Sequence, residues 1–414
     1  MAQQQRTALL VGAGVMAEGY LRAAEVLGLR VGVVETPERH AAIADRFPAL
    51  ADFEPVTADA ALDESWTAPA MVLAARLRPD AVWGFAEPHV LATTMVQHRL
   101  GLAGPGLDAA TVSRNKALQR SEFARAGLPQ PAHRHVRKLS DATDWALDRL
   151  PVVVKPLAAQ GSQGVERVAS PSSWADAVAR RDAEGPLLVE QYVEGPEYSV
   201  EALVHRGRVL FTNLTRKETT GPPYFVEVFH EAGHGAGRPV LRKTADELCR
   251  GVVRALGMAT GIAHLEFRAV AEDEPMIMEV AVRTPGDHIA ELVSRAHGFD
   301  VFEACLRLAL GETPTVPDGH APLRAAGSLF LSSPVSGRLA ELDLSAWVGR
   351  PEVARHAPRL AAGAVVRPAR DSGDRLAWAI LDCATTDRLD DLARELVDTA
   401  GVHLAPGSQA GAGS

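Results

Sequence analysis

Two alternating segments, IAHLEFRAV at 262–270 and PMIMEVAVR at 275–283, are joined by the polar turn AEDE. Alternation of this kind describes two strands of a hairpin. In a symmetrical hairpin centred near 272–273, Glu266 falls opposite Glu279. One face then carries His264, Glu266 and Arg268 with Glu279, Ala281 and Arg283, and the other carries Leu265, Phe267, Met278 and Val280. Two carboxylates directly opposed, about 5 Å apart, repel and cost stability. A divalent cation between them removes that cost, and oxygen-only ligation suits Mg²⁺, which takes one or two carboxylates plus substrate phosphates. A salt-screened exposed face is the alternative; the metal is the preferred reading, on condition that the register holds.

Lysine is scarce: of 43 basic residues only Lys116, Lys138, Lys155, Lys217 and Lys243 are lysines. Lys155 ends a β-branched strand in VVVKPLAAQGSQGVERV, residues 152–168, and a glycine-bearing turn with Gly161, Ser162 and Gly164 follows. Backbone amides in such a turn can surround phosphate oxygens, with the lysine as a point charge. An ordinary hairpin with a surface lysine is the other reading, which the scarcity of lysine weakens. In LLVEQYVEGPEYSVEALV, residues 187–204, a strand reaches Glu190, and Tyr192 and Val193 lead through a turn to Glu197. Backbone at 190–193 could read an adenine edge and Glu197 could accept ribose hydroxyls, but a hairpin with solvated acids fits equally well.

Two further motifs carry competing chemistry. GAGVMA, from Gly12 to Ala17, is a GxGxxA turn between a strand and a helix, with Glu35 ending the next strand. That spacing suits a pyrophosphate at a helix N-terminus, and it suits a plain glycine turn in any α/β sheet. HEAGH, from His230 to His234, satisfies a zinc-protease pattern that requires a helix. Gly233, Gly235, Gly237 and Pro239 argue against that helix, so a loop is expected and His230 is left for another task.

The elements that must position these residues fall into successive units. Strand–helix–strand alternation over 1–110 implies a Rossmann-like parallel sheet. A second unit over 111–195 opens with a helix at 111–127 and continues as a small α+β module. Strands dominate at first over 196–316, with helices near 244–257 and 289–310; a third set at 327–333, 363–369 and 376–384, then a helix at 387–400, makes a unit over 317–406. Residues 407–414 read as a disordered tail of small residues. With 52 acidic residues and a net charge of −9 spread over 414 residues, there is no basic tract for nucleic acid. Three well-separated cysteines, no leader-like start and no long apolar run point to a reducing cytoplasm and away from membranes.

As an ordered set these motifs resemble the ATP-grasp superfamily, and more closely its L-amino-acid ligase branch, across roughly 75–400. The passage PDAVWGFAEPHVLATTMVQHRLGLAGPGLDAATVSRNKALQRSEFARAGLPQP is similar to the family's entry into its fold, and KPLAAQGSQGV to its lid. The resemblance implies nucleotide contacts from Lys116 and Lys155, a phosphate-covering loop at Gly161, Ser162 and Gly164, and an adenine hinge at Glu190, Tyr192 and Val193. It also implies a ribose acceptor in Glu197, magnesium on Glu266 and Glu279, and Arg283 beside the transferring phosphate. TRKETTGPPYFVEVFHEAGH resembles the branch's substrate loop, giving Glu227 and His230, and EVAVRTPGDHI resembles the stretch closing the acyl site, with Gly286 and Asp287. Two positions depart from the family pattern, Ala281 where Asn is common and Asn115 where Asp is common, and the resemblance places Asp287 where acyl size is set.

The implied fold is ATP-grasp behind a Rossmann-like domain, with an α+β lid and a C-terminal α+β domain. The implied reaction joins a small carboxylic acid to an amine through an acyl phosphate, using ATP and Mg²⁺. A dehydrogenase using Gly12, Gly14 and Glu35, or an ATP-grasp enzyme of another pathway, are the alternatives, and a monomer and a homodimer both remain open.

Overall fold

The computed structural model describes residues 5–14, 16–317 and 321–405, so the expected tail at 407–414 lies outside the described residues. The first unit is a four-stranded parallel sheet in the order Leu50–Pro55, Arg30–Glu35, Thr7–Val11, Ala81–Gly84. Its central strand TALLV is buried throughout, because apolar side chains cover both faces. Tyr20, Leu21 and Phe85 pack on one side, and Trp66, Leu73 and Val96 on the other. A parallel sheet requires such double cover.

The GxGxxA turn does not present a dinucleotide site. Glu35 is fully buried, and its carboxylate accepts the Ala13 amide at 2.5 Å and the Thr36 amide at 2.7 Å. It is used up in holding the turn. The His89 ring lies over Gly12: a Cβ there would fall 1.9 Å from His89 Cε1, and the backbone sits at φ +93°. Gly12 is therefore demanded by internal packing.

The helix expected at 111–127 is two helices, Leu107–Ser113 and Lys116–Arg125. Asn115 separates them as an N-cap, its side chain accepting the Ala117 and Leu118 amides. This accounts for an asparagine at that position. The lid is an antiparallel sheet in the order His133–Val136, Leu187–Gln191, Val152–Pro156, Glu166–Val168, backed by the helix Pro171–Arg181.

An eight-stranded antiparallel sheet forms the floor beneath it. Its order is Glu274–Ala281, Gly261–Ala271, Glu197–His205, Arg208–Thr219, Glu227–Ala232, Ala325–Leu331, Ala377–Cys383, Val353–Pro358. The sheet thus continues across residue 317, joining the catalytic and C-terminal parts through pairs such as His230 with Ser328. HEAGH is not a loop: the strand Glu227–Ala232 runs into it, and the turn starts only at Gly233. The helix expected at 289–310 is broken into Ile289–His297 and Val301–Ala309, since Gly298 takes φ +69° and Asp300 caps the second helix. Of 363–369 only Val365–Val366 is a strand, paired with Gly337–Asp343. The helix Thr386–Thr399 closes the C-terminal core through Leu389, Leu392 and Leu396.

Candidate active site

A cleft of about 510 Å³ lies between the lid and the eight-stranded sheet. The hairpin on its floor pairs Glu266 with Glu279. Beyond that pair the register shifts, so that Phe267 faces Ile277 and one extra residue is inserted on the second strand. Ile277 and Val280 join the core, whereas Met278 lines the cleft beside Glu279. The expected placement of Met278 on the core face is therefore corrected by a bulge, which breaks simple alternation.

Each facing carboxylate is held by a lysine. Lys116 Nζ donates to Glu279 Oε1 at 2.9 Å and to the Ala159 carbonyl at 2.9 Å. Lys217 Nζ donates to Glu266 Oε1 at 2.5 Å and lies 3.2 Å from Glu197 and 3.5 Å from Glu227. Burial alone would lower the Lys217 ammonium pKa, but three carboxylates drive it well above the usual lysine value. Burial likewise opposes ionisation of Glu266, yet Lys217 and His264 hold its carboxyl well below the usual range. Two opposed carboxylates, with no cluster of three His, Cys, Asp or Glu ligands among the described residues, fit Mg²⁺ completed by phosphate oxygens better than a closed zinc site. Ala281, paired with His264, supplies no donor.

On the lid, Lys155 Nζ lies 2.7 Å from Glu190, whose other oxygen binds Arg120. Burial would raise the Glu190 carboxyl, but Arg120 and Lys155 prevail and bring it to about 2. Of the backbone expected to read an adenine edge, the Gln191 and Tyr192 amides already bond the Ala132 and Pro151 carbonyls, and the Val193 carbonyl accepts Arg268 at 2.9 Å. Tyr192 and Phe225 stack at 5.8 Å, with the Arg268 guanidinium against both rings. Glu197 also accepts from Arg268 at 3.0 Å. Gly161 and Ser162 line the cleft; Gly164 does not, and packs against Pro156 instead.

The lid rests on the C-terminal part and on the loop between the strands Arg208–Thr219 and Glu227–Ala232. The Ser372 amide donates to the Gly161 carbonyl at 3.1 Å, and the Arg167 amide to the Pro223 carbonyl at 2.9 Å. Arg283 Nε donates to Glu87 at 2.6 Å, and Arg114 binds the other Glu87 oxygen at 2.5 Å. Against the opposing effect of burial, these two arginines lower Glu87 to about 2.

At the far end of the cleft, Arg375 binds both Asp287 oxygens at 2.7 and 2.9 Å, and also Glu227 at 3.1 Å. His230 Nε2 lies 3.1 Å from Asp287. Asp287 and His288 have positive φ of 53° and 63°, a costly backbone state for residues with side chains. Gly286 lines the cleft just before them.

Lys217, Arg375, Glu87, Arg120 and the layer beneath His264 escaped the sequence reading. In that layer Glu201 accepts His264 at 3.0 Å, Ser199 at 2.7 Å, Asn213 at 2.6 Å and Thr215 at 2.7 Å. For Lys217 a signal existed, since it is one of only five lysines. The arginines carried none in so arginine-rich a chain.

Residues 148–291 match the model of the ATP-grasp domain, and residues 329–405 match L-amino acid ligase C-terminal domain 2. The chain thus carries an ATP-grasp domain followed by an L-amino acid ligase C-terminal domain 2. Carnosine synthase 1 of Gallus gallus is 26% identical over 357 residues, covering 78% of this chain and 37% of the relative. The L-arginine-specific L-amino acid ligase of Bacillus subtilis is 21% identical over 252 residues, covering 57% of this chain and 59% of the relative. The match thus spans less than two thirds of either relative. The crystal structure of an L-amino acid ligase from Bacillus licheniformis superposes with a TM-score of 0.81 at 23% identity, over 98% of this chain and 100% of that one. The fold is the same.

Proposed function

We propose that the protein is an ATP-dependent carboxylate–amine ligase that joins an amino acid, or a related acid, to an amine through an acyl phosphate. The observation that carries this reading is the convergence, in one cleft, of the opposed Glu266–Glu279 pair and Lys116, Lys155 and Lys217 with Glu227, His230 and Asp287, which buried Arg375 braces from behind. Phosphates and a small polar acid would meet between them.

Lys155 and Lys116 hold the nucleotide phosphates, Tyr192 and Val193 border its base, and Glu197 accepts its ribose. Mg²⁺ on Glu266 and Glu279 would neutralise charge on the terminal phosphates. The acid enters with its ammonium group toward Glu227 and its carboxylate toward Arg283 and Gly286. A carboxylate oxygen attacks the γ-phosphorus, the bond to ADP breaks, and an acyl phosphate forms. The deprotonated amine then adds to the acyl carbon and inorganic phosphate leaves. Arg283, fixed by Glu87, stabilises charge on the phosphoryl group and then on the tetrahedral oxyanion. Closure of the Gly161–Ser162 turn against Ser372 keeps water from the acyl phosphate.

A thermal-shift titration separates this from dinucleotide chemistry, because a ligand that binds the native state raises its melting temperature. Mg·ATP is expected to stabilise the protein and NADH is not. Stabilisation by NADH alone would contradict the proposal.

A further inference from the structure

Among the described residues lining the cleft, one cation has no hydrogen-bonded carboxylate. Arg359, from the C-terminal part, lines the cleft wall with Asp287, Ser372 and Gly373. Its backbone amide bonds the Leu376 carbonyl, and among the described residues its guanidinium makes no ion pair or hydrogen bond. The arginines that share this region are all engaged. Arg283 is held by Glu87, Arg268 by Glu197, and Arg375 by Asp287 and Glu227.

Asp287, whose two oxygens bind Arg375 and His230, and Asp371 act on Arg359 only through space, without a hydrogen bond to it. Arg359 is exposed at the cleft wall, where partial desolvation and then the Arg375 charge disfavour its cation and outweigh the opposing pull of Asp287 and Asp371. An anion arriving beside it would relieve that repulsion. The planar guanidinium, open to the cleft, is a geometry suited to bidentate binding of a carboxylate.

We infer that Arg359 receives a second carboxylate on the acyl substrate, so that the acid activated here is a dicarboxylate whose distal acidic group extends past the Asp287–Arg375 pair. The inference rests on the ligase reading for which substrate is activated, but Arg359 is a specificity residue that can be tested by binding alone. The Glu227 end takes the ammonium group, the Arg283 end takes the reacting carboxylate, and the side chain is left to reach Arg359. A neutral amide of the same shape would leave this cation unpaired.

The test is calorimetric titration of the whole protein, with Mg²⁺ and a non-hydrolysable ATP analogue, by L-aspartate, L-glutamate, L-asparagine and L-glutamine. The better acidic probe is expected to bind about tenfold tighter than its amide, the gain of one charge-assisted contact. Arg359→Gln removes the difference and Arg359→Lys retains part of it. Equal affinity for acid and amide in the unaltered protein, or no measurable binding of either acid, overturns the inference. Phosphate release on the same panel separates the two readings. Release without acidic preference contradicts only the role of Arg359, whereas acid-selective binding that never leads to phosphate release contradicts the ligase reading and leaves Arg359 as a binding residue.

Discussion

Lys217 Nζ lies 2.5 Å from Glu266 Oε1, the two residues coming from strands on opposite sides of Glu197–His205, and the same ammonium faces Glu197 and Glu227. One lysine thereby holds together the carboxylates assigned to metal, ribose and substrate ammonium. Its own side chain is 2% exposed, so water cannot replace it.

Lys217→Met is expected to destabilise the fold by about 3 kcal/mol, because it strands three carboxylates around an apolar chain. Urea unfolding measures this. Added Mg²⁺ is expected to restore part of the loss, since a divalent cation can take over two of the charges; an unchanged midpoint would show that the lysine is not structural.

Glu279→Gln keeps a hydrogen-bond acceptor for Lys116 and removes one of the two opposed negative charges. Melting is expected to change little. ADP release is expected to fall by about a hundredfold or more, as for loss of a group that stabilises charge in the transition state. Turnover that survives intact would remove Glu279 from the metal site.

Arg375 and Asp287 bring the C-terminal part into the substrate end of the cleft through two hydrogen bonds. Arg375→Ala and Asp287→Ala are expected to be strongly non-additive, with a coupling of about 1–3 kcal/mol in a double-mutant cycle on stability. The same cycle on kinetics is expected to show the effect in KM for the acid rather than for ATP. Additive behaviour in both would mean that the pair neither braces nor shapes the site.

His89 gives the stability its pH dependence on the acid side. Burial, then the charges of Arg39 and Arg283, lower its imidazole from 6.5 to about 3, so it is neutral in the fold. The unfolded chain binds a proton below pH 6.5 that the native state refuses until about pH 3. Stability is therefore complete above 6.5 and declines as pH falls through that window, by about 2 kcal/mol at pH 5. Glu190, lowered to about 2, adds a second loss that begins only below its unfolded value of 4.5. His89→Asn, which preserves an acceptor for the Ala86 amide, is expected to remove about half of the dependence between pH 7 and 5, the rest coming from buried His288, lowered from 6.5 to about 4. An equally steep slope in that variant would place the titrating group elsewhere.

Local pattern made the facing glutamates legible: a short polar turn between two alternating strands fixes cross-strand partners, and the fold pairs Glu266 with Glu279. It could not show the inserted residue that turns Met278 into the cleft, because a bulge leaves hydrophobicity unchanged. Lys155 announced itself through the glycine turn that follows it, whereas Lys217 sits in a plain strand and acquires its role only when the sheet sets Glu197 and His230 at its sides. Arg375 is separated from Asp287 by 88 residues, and nothing local distinguishes it from the other arginines. The GxGxxA turn shows the converse, since its spacing suits a pyrophosphate while buried Glu35 and the His89 ring use its amides and its space.

The central claim is ATP-driven amide formation, and its most direct test is phosphate release with Mg·ATP across a matrix of amino acids and amines, followed by mass spectrometry of the products. The account predicts release of one phosphate and one ADP for each amide formed, only when an acid and an amine are both present, and loss of that activity in Glu279→Gln. No stimulation by any carboxylate–amine pair, with no condensed product, would contradict it.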